Sequence, residues 1–335
     1  MKSNPKKKRI IVSIAVAAVI VAVSLSILIT NIFVPVKYLI SYCVKVDVNQ
    51  SNVLRVSFVD VGFGDCTIVE LPDGKTMLID GGNGTHKNNL KVFKELNARG
   101  IDKIDYLVCS SVSAEHCGGL SEMLKYKKVE NIYAPYCPAT FINSEFRSFT
   151  EEAAKLGKIP EICEYGEGIF DDDAGYNFCF LSPSVHTLED GEYQNLATEP
   201  TRENINAASA IIWIEYGGHG FLLTGNAPSK TIQKLFEGQS GAVEINGKTV
   251  DLSHCAVIKV PNHGSYSSAY ADMYKLTFPQ AAVLSVGKNG YGFPSVQAIS
   301  DAQQSVGENF YRTDTDGTVT FTVKDAKMSV QKEKK

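Results

Sequence analysis

The chain has 335 residues, of which 44% are apolar and 21% are charged. This composition excludes a largely disordered chain, and the length allows one large domain or two ordinary ones. The formal net charge of -4 conceals an asymmetry, because the first 50 residues hold seven Lys and Arg but a single acid, Asp47. The remaining body is therefore acidic and should repel polyanions, so nucleic acid is not a favoured partner.

The N-terminal region has the pattern of a membrane anchor. Residues 10–34 are almost all apolar and follow the basic cluster Lys6-Lys7-Lys8-Arg9. About 20 apolar residues suffice to cross a bilayer as a helix, so the run predicts an uncleaved signal-anchor, with a cleaved signal peptide as the alternative. The basic cluster predicts a cytoplasmic N-terminus and an extracytoplasmic body. We therefore expect a single-pass protein of the cell membrane, divided into a cytoplasmic segment (1–9), a transmembrane helix (10–34), a tether (35–52), one domain (53–325) and a polar tail (326–335).

The body alternates between strand and helix patterns. Two-residue alternation and β-branched residues predict strands over 54–61, 66–71, 76–79, 104–109, 129–134, 178–181, 208–215, 221–223, 256–260, 281–286 and 318–323. Helical periodicity and stop signals predict helices over 87–99, 120–127, 144–156, 229–236 and 295–304. Residues 189–204 are polar and predict a loop. Hairpins and helices in this succession predict an α/β (α+β) protein with two mixed sheets covered by helices.

The eight cysteines contain no CxxC pair that would indicate a zinc knuckle or a redox motif. Four of them, Cys66, Cys109, Cys179 and Cys255, lie in apolar strand-like runs. Small apolar thiols are common in protein cores, so these four are expected to be buried and free.

The loop over residues 108–120 carries the strongest signal. An apolar strand end is followed by a short polar loop and by Gly118-Gly119, which opens a helix. The loop resembles the metal-binding loop of the metallo-β-lactamase fold, His-x-(His or Asp)-x-Asp-His followed by an apolar residue and Gly-Gly. Aligned on the glycines, Ser111 and Ser113 stand at the first two ligand positions, Glu115 stands at the Asp, and His116 matches.

Five further segments resemble the ComEC-type domains of this fold. Phe58–Asp65 is similar to their "DVGQGD" turn, Leu78–Gly82 to their next strand, Leu222–Asn226 to "LLTGD", Lys259–Ser265 to "KVPHHGS", and Ser285–Ser295 to "SVG…N.YGHPS". The segments follow the family order over residues 53–323. The resemblance implies a four-layer αββα sandwich with a site at the sheet edges, and ancestry among metal-dependent phosphoester hydrolases.

The same resemblance shows what this chain has lost. Besides the two serines, Asn226 replaces the Asp that bridges two metals, Asn262 replaces the first His of a His-His pair, and Phe293 replaces a His. Neutral hydroxyls bind Zn²⁺ or Mn²⁺ poorly. The remaining metal-ligand candidates are Glu115, His116 and His263. The acids Asp60, Asp65 and Asp80 are expected to orient the turns beneath the cleft.

These substitutions favour a membrane-anchored pseudo-hydrolase that acts as a binding or interaction module for an unknown protein or phosphoester ligand. No cofactor is expected or, if any, a single Zn or Mn ion. The alternative is an active metal-dependent phosphodiesterase or nuclease-type hydrolase with a reduced site. A third reading is a partner-binding surface unrelated to the old cleft. No residue is assigned as catalytic, because adjacency of Cys117 to His116 does not establish a nucleophile and its base.

Overall fold

The computed structural model describes residues 5–33, 51–171, 173–183, 201–236, 241–245 and 247–334. Helix α1 spans Pro5–Phe33, and its side chains are described at positions 12–26 and 28. The residues thus described contain no helix whose length and hydropathy meet the requirement for a membrane span. The predicted tether up to residue 50, and residues 189–200 of the predicted polar loop, lie outside the described residues.

The body contains the following strands: β1 (Val53–Phe58), β2 (Thr67–Glu70), β3 (Thr76–Ile79), β4 (Lys103–Val108), β5 (Lys128–Ala134), β6 (Glu161–Ile162), β7 (Gly168–Asp171), β8 (Tyr176–Ser182), β9 (Ile211–Tyr216), β10 (His219–Leu223), β11 (Ala242–Ile245), β12 (Lys248–Asp251), β13 (Cys255–Lys259), β14 (Ala281–Leu284), β15 (Phe310–Arg312), β16 (Val319–Lys324) and β17 (Lys327–Lys332). Its helices are α2 (His86–Ala98), α3 (Ala114–Cys117), α4 (Leu120–Tyr126), α5 (Ser144–Lys155), α6 (Arg202–Ala207), α7 (Ser229–Phe236), α8 (Ala271–Thr277), α9 (Val296–Val306) and α10 (Thr313–Asp316).

Two mixed sheets form the centre of the body. The larger has eight strands in the order β17-β16-β1-β2-β3-β4-β5-β6, and the second has seven in the order β15-β14-β13-β10-β9-β8-β7. Strands β3, β4, β5 and β6 pair in parallel, as do β10, β13, β14 and β15. Strands β11 and β12 form a separate hairpin.

Three buried apolar clusters lie between the sheets and helices and hold them together. The middle layer joins the inner faces of the two sheets through residues such as Leu54, Phe58, Phe178, Ile212 and Phe321. An outer layer packs α2, α4 and α5 on the eight-stranded sheet, and another packs α7, α8 and α9 on the seven-stranded sheet. Since each sheet buries one face against the other sheet and one against helices, the body is an α+β sandwich with four layers, as the sequence predicts.

Several local predictions require correction. Residues 327–332, expected in a polar tail, form edge strand β17 because their backbone pairs with β16 in an antiparallel ladder. Residues 202–204, expected in a loop, begin helix α6, which Thr201 caps by accepting the N–H of Asn204. Residues 208–210 precede β9 rather than belonging to it. The sequence does not predict β6, β7, β11, β12 and β15, because these short strands are largely exposed or half-buried and so lack a continuous apolar run.

Close glycine contacts bring the loops of the larger sheet together. A Cβ on Gly119 would overlap the carbonyl oxygen of Gly81, and one on Gly64 would overlap that of Glu115. These positions therefore require glycine. The contacts join the loops that follow β1, β3 and β4 into one wall, and loops after β10, β13 and β14 face it from the other sheet.

Candidate functional site

His116 is fixed by an aspartate from the neighbouring loop. The imidazole is fully buried, and its Nδ1 donates to Oδ2 of Asp80 at 2.8 Å. The backbone N–H and the hydroxyl of Ser110 also donate to the Asp80 carboxylate, at 2.7 and 2.5 Å. With Nδ1 held as a donor to a carboxylate, Nε2 is the ring nitrogen left over for the cleft. That Nε2 is buried and has no hydrogen-bond partner among the described residues.

His263 is arranged in the same way from the opposite sheet. It lies in the loop after β13 with φ near +53°, and its Nδ1 donates to the carbonyl oxygen of Ser285 at 2.9 Å. Its Nε2 is likewise buried and unpartnered within the described part of the chain. The ring centroids of His116 and His263 are 5.3 Å apart, so two fixed imidazoles face each other across the cleft.

A buried ion pair lies beside the two imidazoles. The Lys259 ammonium is 2.6 Å from Oδ2 of Asp65, and Asp65 oxygens lie 3.6 Å from Nδ1 of both His116 and His263. The pair therefore compensates a carboxylate that would be costly to bury alone.

Burial and neighbouring charges shift the pKa values of Asp65, His116 and His263. Burial raises the pKa of Asp65, but Lys259, His263 and His116 outweigh it and the net pKa lies below the usual range. Burial lowers the pKa of His116, whereas the charges of Asp80 and Asp65 and the hydrogen bond to Asp80 raise it to about 9. Burial lowers the pKa of His263 to about 4, with the charges of His116 and Lys259 acting in the same direction and that of Asp65 opposing them. One imidazole therefore favours the charged form and its neighbour the neutral form.

Glu115 and Asn226 are joined across the cleft. Nδ2 of Asn226, in the loop after β10, donates to Oε1 of Glu115 at 3.2 Å. Asn226 is buried, and its Oδ1 has no hydrogen-bond partner in the described residues. The residue at the expected bridging position is therefore a neutral amide bound to the surviving carboxylate.

The three predicted metal ligands come together. Glu115, His116 and His263 each offer one ligand atom, and these atoms lie within 4.8 Å of one another. Two imidazoles and a carboxylate form a donor set that fits one Zn²⁺ ion. The two unpartnered Nε2 atoms are consistent with that fit. When bound, such an ion would polarise a ligand or acidify a water, and Asp80 and Ser285 would orient its imidazoles.

A second cluster of possible ligands does not provide a second metal site. Asp65, Asp80 and His116 also offer ligand atoms within 4.8 Å of one another. However, Asp65 is already paired with Lys259, Asp80 is held by Ser110, and His116 is shared with the first group. The described donor atoms therefore suffice for one ion.

The other expected ligand positions lie on the same loops without joining the three ligands. Ser111 is buried, and its hydroxyl accepts the backbone N–H of Ser113 at 3.4 Å. Ser113 precedes α3 as its N-cap residue. Asn262 has φ near +45°, and its backbone N–H donates to the carbonyl oxygen of Gly225 at 3.0 Å.

Phe293 belongs to an aromatic cluster at the mouth of the cleft. Its ring lies 5.8 Å from Tyr291 and 6.3 Å from Phe63, and Phe63 packs against His263 with centroids 4.7 Å apart. The guanidinium carbon of Arg202 lies over the Tyr291 ring, 5.8 Å from the ring centroid. Aromatic packing thus covers the imidazole on the side where the resemblance predicts another histidine.

Asp60 and the cysteines lie apart from this chemistry. Asp60 accepts the N–H of Gly62 at 3.1 Å and pairs with Lys91, so it orients the turn but stands outside the ligand group. Cys66, Cys109, Cys179 and Cys255 are buried and free, as predicted. Burial raises the pKa of the Cys117 thiol, which disfavours it as a nucleophile.

Sequence reasoning assigned no role to Lys259, Ser110, Phe63 or Tyr291. A signal existed for Lys259, which is the one charged residue in the apolar run Ala256–Val260. Its partner Asp65 lies almost 200 positions away, so no local pattern could indicate the pair.

The four-layer sandwich, with side chains from both sheets meeting at one edge, is the arrangement that the metallo-β-lactamase resemblance implies. Curated relatives identify the type more closely. ComE operon protein 3 of Bacillus subtilis (strain 168) is 25% identical over 287 residues, covering 81% of this chain and 33% of that protein. Recombination protein 2 of Haemophilus influenzae is 26% identical over 245 residues, covering 72% of this chain and 25% of that protein. These relatives support a ComEC-type metallo-β-lactamase-fold protein.

The chain spans about a quarter to a third of the length of the curated relatives that it matches. No protein-family model matches it. Among solved structures, the metallo-β-lactamase-fold protein YhfI from Bacillus subtilis aligns with 83% of this chain and 100% of its own, with a TM-score of 0.45 and 11% identity.

Proposed function

We propose that this protein is a membrane-anchored pseudo-hydrolase, whose metallo-β-lactamase-fold body serves as a binding module. The proposal rests on one observation: the Asn226 amide donates to Glu115 at the position where the family resemblance implies a carboxylate bridging two metals. A neutral amide cannot offset the repulsion between two divalent cations held about 3.5–4 Å apart.

The surrounding substitutions act in the same direction. Ser111, Ser113, Asn262 and Phe293 offer hydroxyls, an amide and a phenyl ring instead of imidazoles and carboxylates. Without a second cation, the cleft loses the symmetric clamp on the attacking and leaving oxygens that binuclear phosphodiesterases use.

The test is phosphodiester turnover by the full chain, purified in detergent and supplied with Zn²⁺ or Mn²⁺. We expect no metal-dependent cleavage of bis-(p-nitrophenyl) phosphate above the background of a His116→Ala control. Turnover that requires metal and disappears in His116→Ala would overturn the proposal.

A hydrolase with one metal is the second candidate function. It is favoured by the unpartnered Nε2 atoms of His116 and His263 beside Glu115. Zinc enzymes often combine three protein ligands with one open position for water. This candidate requires turnover at one metal equivalent, and loss of that turnover in Glu115→Gln.

Membrane anchoring through residues 10–34 is the second part of the proposal. The apolar run after the basic N-terminus supports it, as do large apolar side chains on α1 that are more than half exposed, Val12, Ile14, Val19 and Leu28 among them. We expect the chain to remain with membranes after an alkaline carbonate wash, and a version beginning at residue 51 to be released. Because the body is expected to be extracytoplasmic, protease added to intact cells should digest it.

The expected occupant of the binding module is a protein or a small phosphoester. The acidic body disfavours nucleic acid, because phosphate backbones bind through Lys and Arg and release of counterions. Retention on single-stranded DNA at about 150 mM salt would contradict this part of the proposal.

A further inference from the structure

Two neighbouring loops at the mouth of the cleft expose large apolar side chains to solvent. Tyr266 is 74% exposed, Tyr291 57% and Val296 84%. The two loops lie side by side, because the backbone N–H of Ser295 donates to the carbonyl oxygen of Gly264 at 2.8 Å. Clusters of exposed apolar side chains on a protein surface mark places that contact a partner or a membrane.

The side chain of Asn289 fixes the second of these loops. Its Nδ2 donates to the carbonyl oxygens of Gly287 and Phe293 at 2.9 and 2.8 Å. Its Oδ1 accepts the backbone N–H groups of Tyr291 and Phe293 at 3.0 and 3.2 Å. The Tyr291 ring stacks on Phe63 with the ring centroids 5.3 Å apart. The exposed ring is therefore oriented before it meets a partner, which lowers the entropy lost on contact.

Basic side chains accompany the apolar ones. The guanidinium of Arg202 lies over the Tyr291 ring, and Lys288 is exposed in the same loop as Tyr291. Lys230 is 83% exposed and lies 3.9 Å from Glu203, the acid that follows Arg202. Three basic groups and one acid leave this region positively charged, on a body whose overall charge is negative.

We infer that this region docks on the surface of an anionic phospholipid bilayer through a membrane-docking patch, defined as Tyr266, Tyr291, Val296, Arg202 and Lys288. Tyrosine favours the membrane–water interface because its ring is apolar and its hydroxyl remains hydrated. Apolar side chains beside it enter the headgroup boundary, and nearby Lys and Arg attract anionic lipids. The inference rests on the proposed membrane anchoring, and it turns the mouth of the cleft towards lipid headgroups.

The chain between α1 and the body is long enough for this orientation. Strand β1 begins at Val53 and ends at Phe58, just before the cleft loops, so the chain enters the body at the end opposite the patch. Residues 34–50 separate α1 from the body, and these 17 residues reach at most roughly 60 Å when fully extended. A folded body of about 280 residues is roughly 50 Å across. The membrane-docking patch can therefore reach the bilayer while α1 stays in it.

The experiment places the full chain in lipid nanodiscs, with discs in excess over protein. The discs contain equal parts of phosphatidylcholine and phosphatidylglycerol, brominated on the acyl chains near the headgroup, because bromine quenches tryptophan fluorescence on contact. Trp213 is the one tryptophan of the chain and is fully buried, so an introduced tryptophan reports on its own surroundings. Interfacial side chains lie about 5–10 Å into the headgroup boundary, so bromination should reduce the added emission of Tyr266→Trp about twofold.

Phe278→Trp is the matched control. Phe278 is 72% exposed, close to the value for Tyr266, but it precedes β14 at the end of the sheet away from the cleft. Its emission should be the same with and without bromine, and quenching as strong as that of Tyr266→Trp would overturn the inference. If Tyr266→Trp does not fold, Val296→Trp takes its place.

The remaining outcomes separate this inference from the proposed function. A chain that stays with the discs but shows no quenching of Tyr266→Trp would overturn membrane docking and leave the anchor intact. Two chains per disc in that case would assign the patch to contact with a second copy of this chain. A chain that does not associate with discs would overturn the proposed anchoring itself, whereas loss of hydrolysis is tested by turnover alone.

Charge neutralisation tests whether anionic lipid directs the docking. Arg202→Gln combined with Lys288→Gln should weaken docking roughly 30-fold, because each basic residue near an anionic surface contributes about fivefold. Quenching of Tyr266→Trp should then fall to its value in discs of phosphatidylcholine alone. Lys128→Gln combined with Lys327→Gln is the control, since these exposed lysines begin β5 and β17 away from the cleft. Equal effects of the two pairs would contradict docking through this patch.

Discussion

The ammonium of Lys259 lies 2.6 Å from the carboxylate of Asp65, and each side chain is only 3% exposed. Lys259 ends β13 in the seven-stranded sheet, whereas Asp65 precedes β2 in the eight-stranded sheet. The pair therefore connects the two sheets directly beneath the imidazoles of the candidate site.

Replacing Lys259 with Met should destabilise the protein by about 3–5 kcal/mol, because it removes the positive charge nearest to the buried Asp65 carboxylate. Chemical denaturation of the purified protein measures the free energy of unfolding. The control is Lys230→Met, since Lys230 and Glu203 form an exposed pair 3.9 Å apart and should contribute little. Equal effects of the two substitutions would contradict a structural role for the Lys259–Asp65 pair.

The stability of EDTA-treated protein should pass through a maximum near pH 6.5. The pKa of His116 is raised from 6.5 to about 9, so its contribution is full below pH 6.5 and is lost as the pH rises towards 9. The pKa of His263 is lowered, so its contribution is full above pH 6.5 and is lost as the pH falls. The alkaline loss is on the order of 3 kcal/mol.

Chemical denaturation at a series of pH values measures the loss of stability on the acidic limb and the alkaline limb, below and above the maximum. His116→Gln should flatten the alkaline limb and leave the acidic limb, because Gln does not titrate. An unchanged alkaline limb in that variant would assign the pH dependence to another group.

Asp80→Asn should weaken zinc binding about 10–100-fold, because Asp80 fixes Nδ1 of His116, one of the three candidate ligands. Calorimetric titration with zinc measures the affinity. Asp60→Asn is the matched control, since Asp60 pairs with Lys91 outside the ligand group. A loss of affinity as large in the control as in Asp80→Asn would contradict the proposed orientation of the imidazole.

Phe63→Ala should expose the His263 imidazole, because the two rings pack with centroids 4.7 Å apart and His263 is fully buried. The rate at which diethyl pyrocarbonate modifies His263 reports this exposure by mass spectrometry. Phe278→Ala removes an aromatic ring that is 72% exposed and should leave the rate unchanged. Protection of His263 in Phe63→Ala would show that other groups shield it.

Much of the fold follows from local patterns. Short apolar runs place β3, β4 and β13 within one residue of their predicted bounds, because these strands are buried on both faces of their sheets. The predicted strand over 54–61 ends earlier, at Phe58. The role of the Gly118-Gly119 pair can also be recognised from the sequence, since only glycine allows this loop to approach Gly81 so closely. Strand β17 escaped prediction because its side chains are mostly exposed, and its pairing with β16 is made by the backbone.

Some features of the candidate site likewise follow from the sequence, and others only from the tertiary structure. The sequence by itself determined which donors survive, Glu115, His116 and His263, and which positions became neutral, because side-chain chemistry is independent of the fold. Only the tertiary structure decided that these three donors meet, that Asn226 is bound to Glu115, and that Lys259 faces Asp65. Those contacts join loops far apart in the chain, and their distances depend on how two sheets pack, which local propensity does not encode.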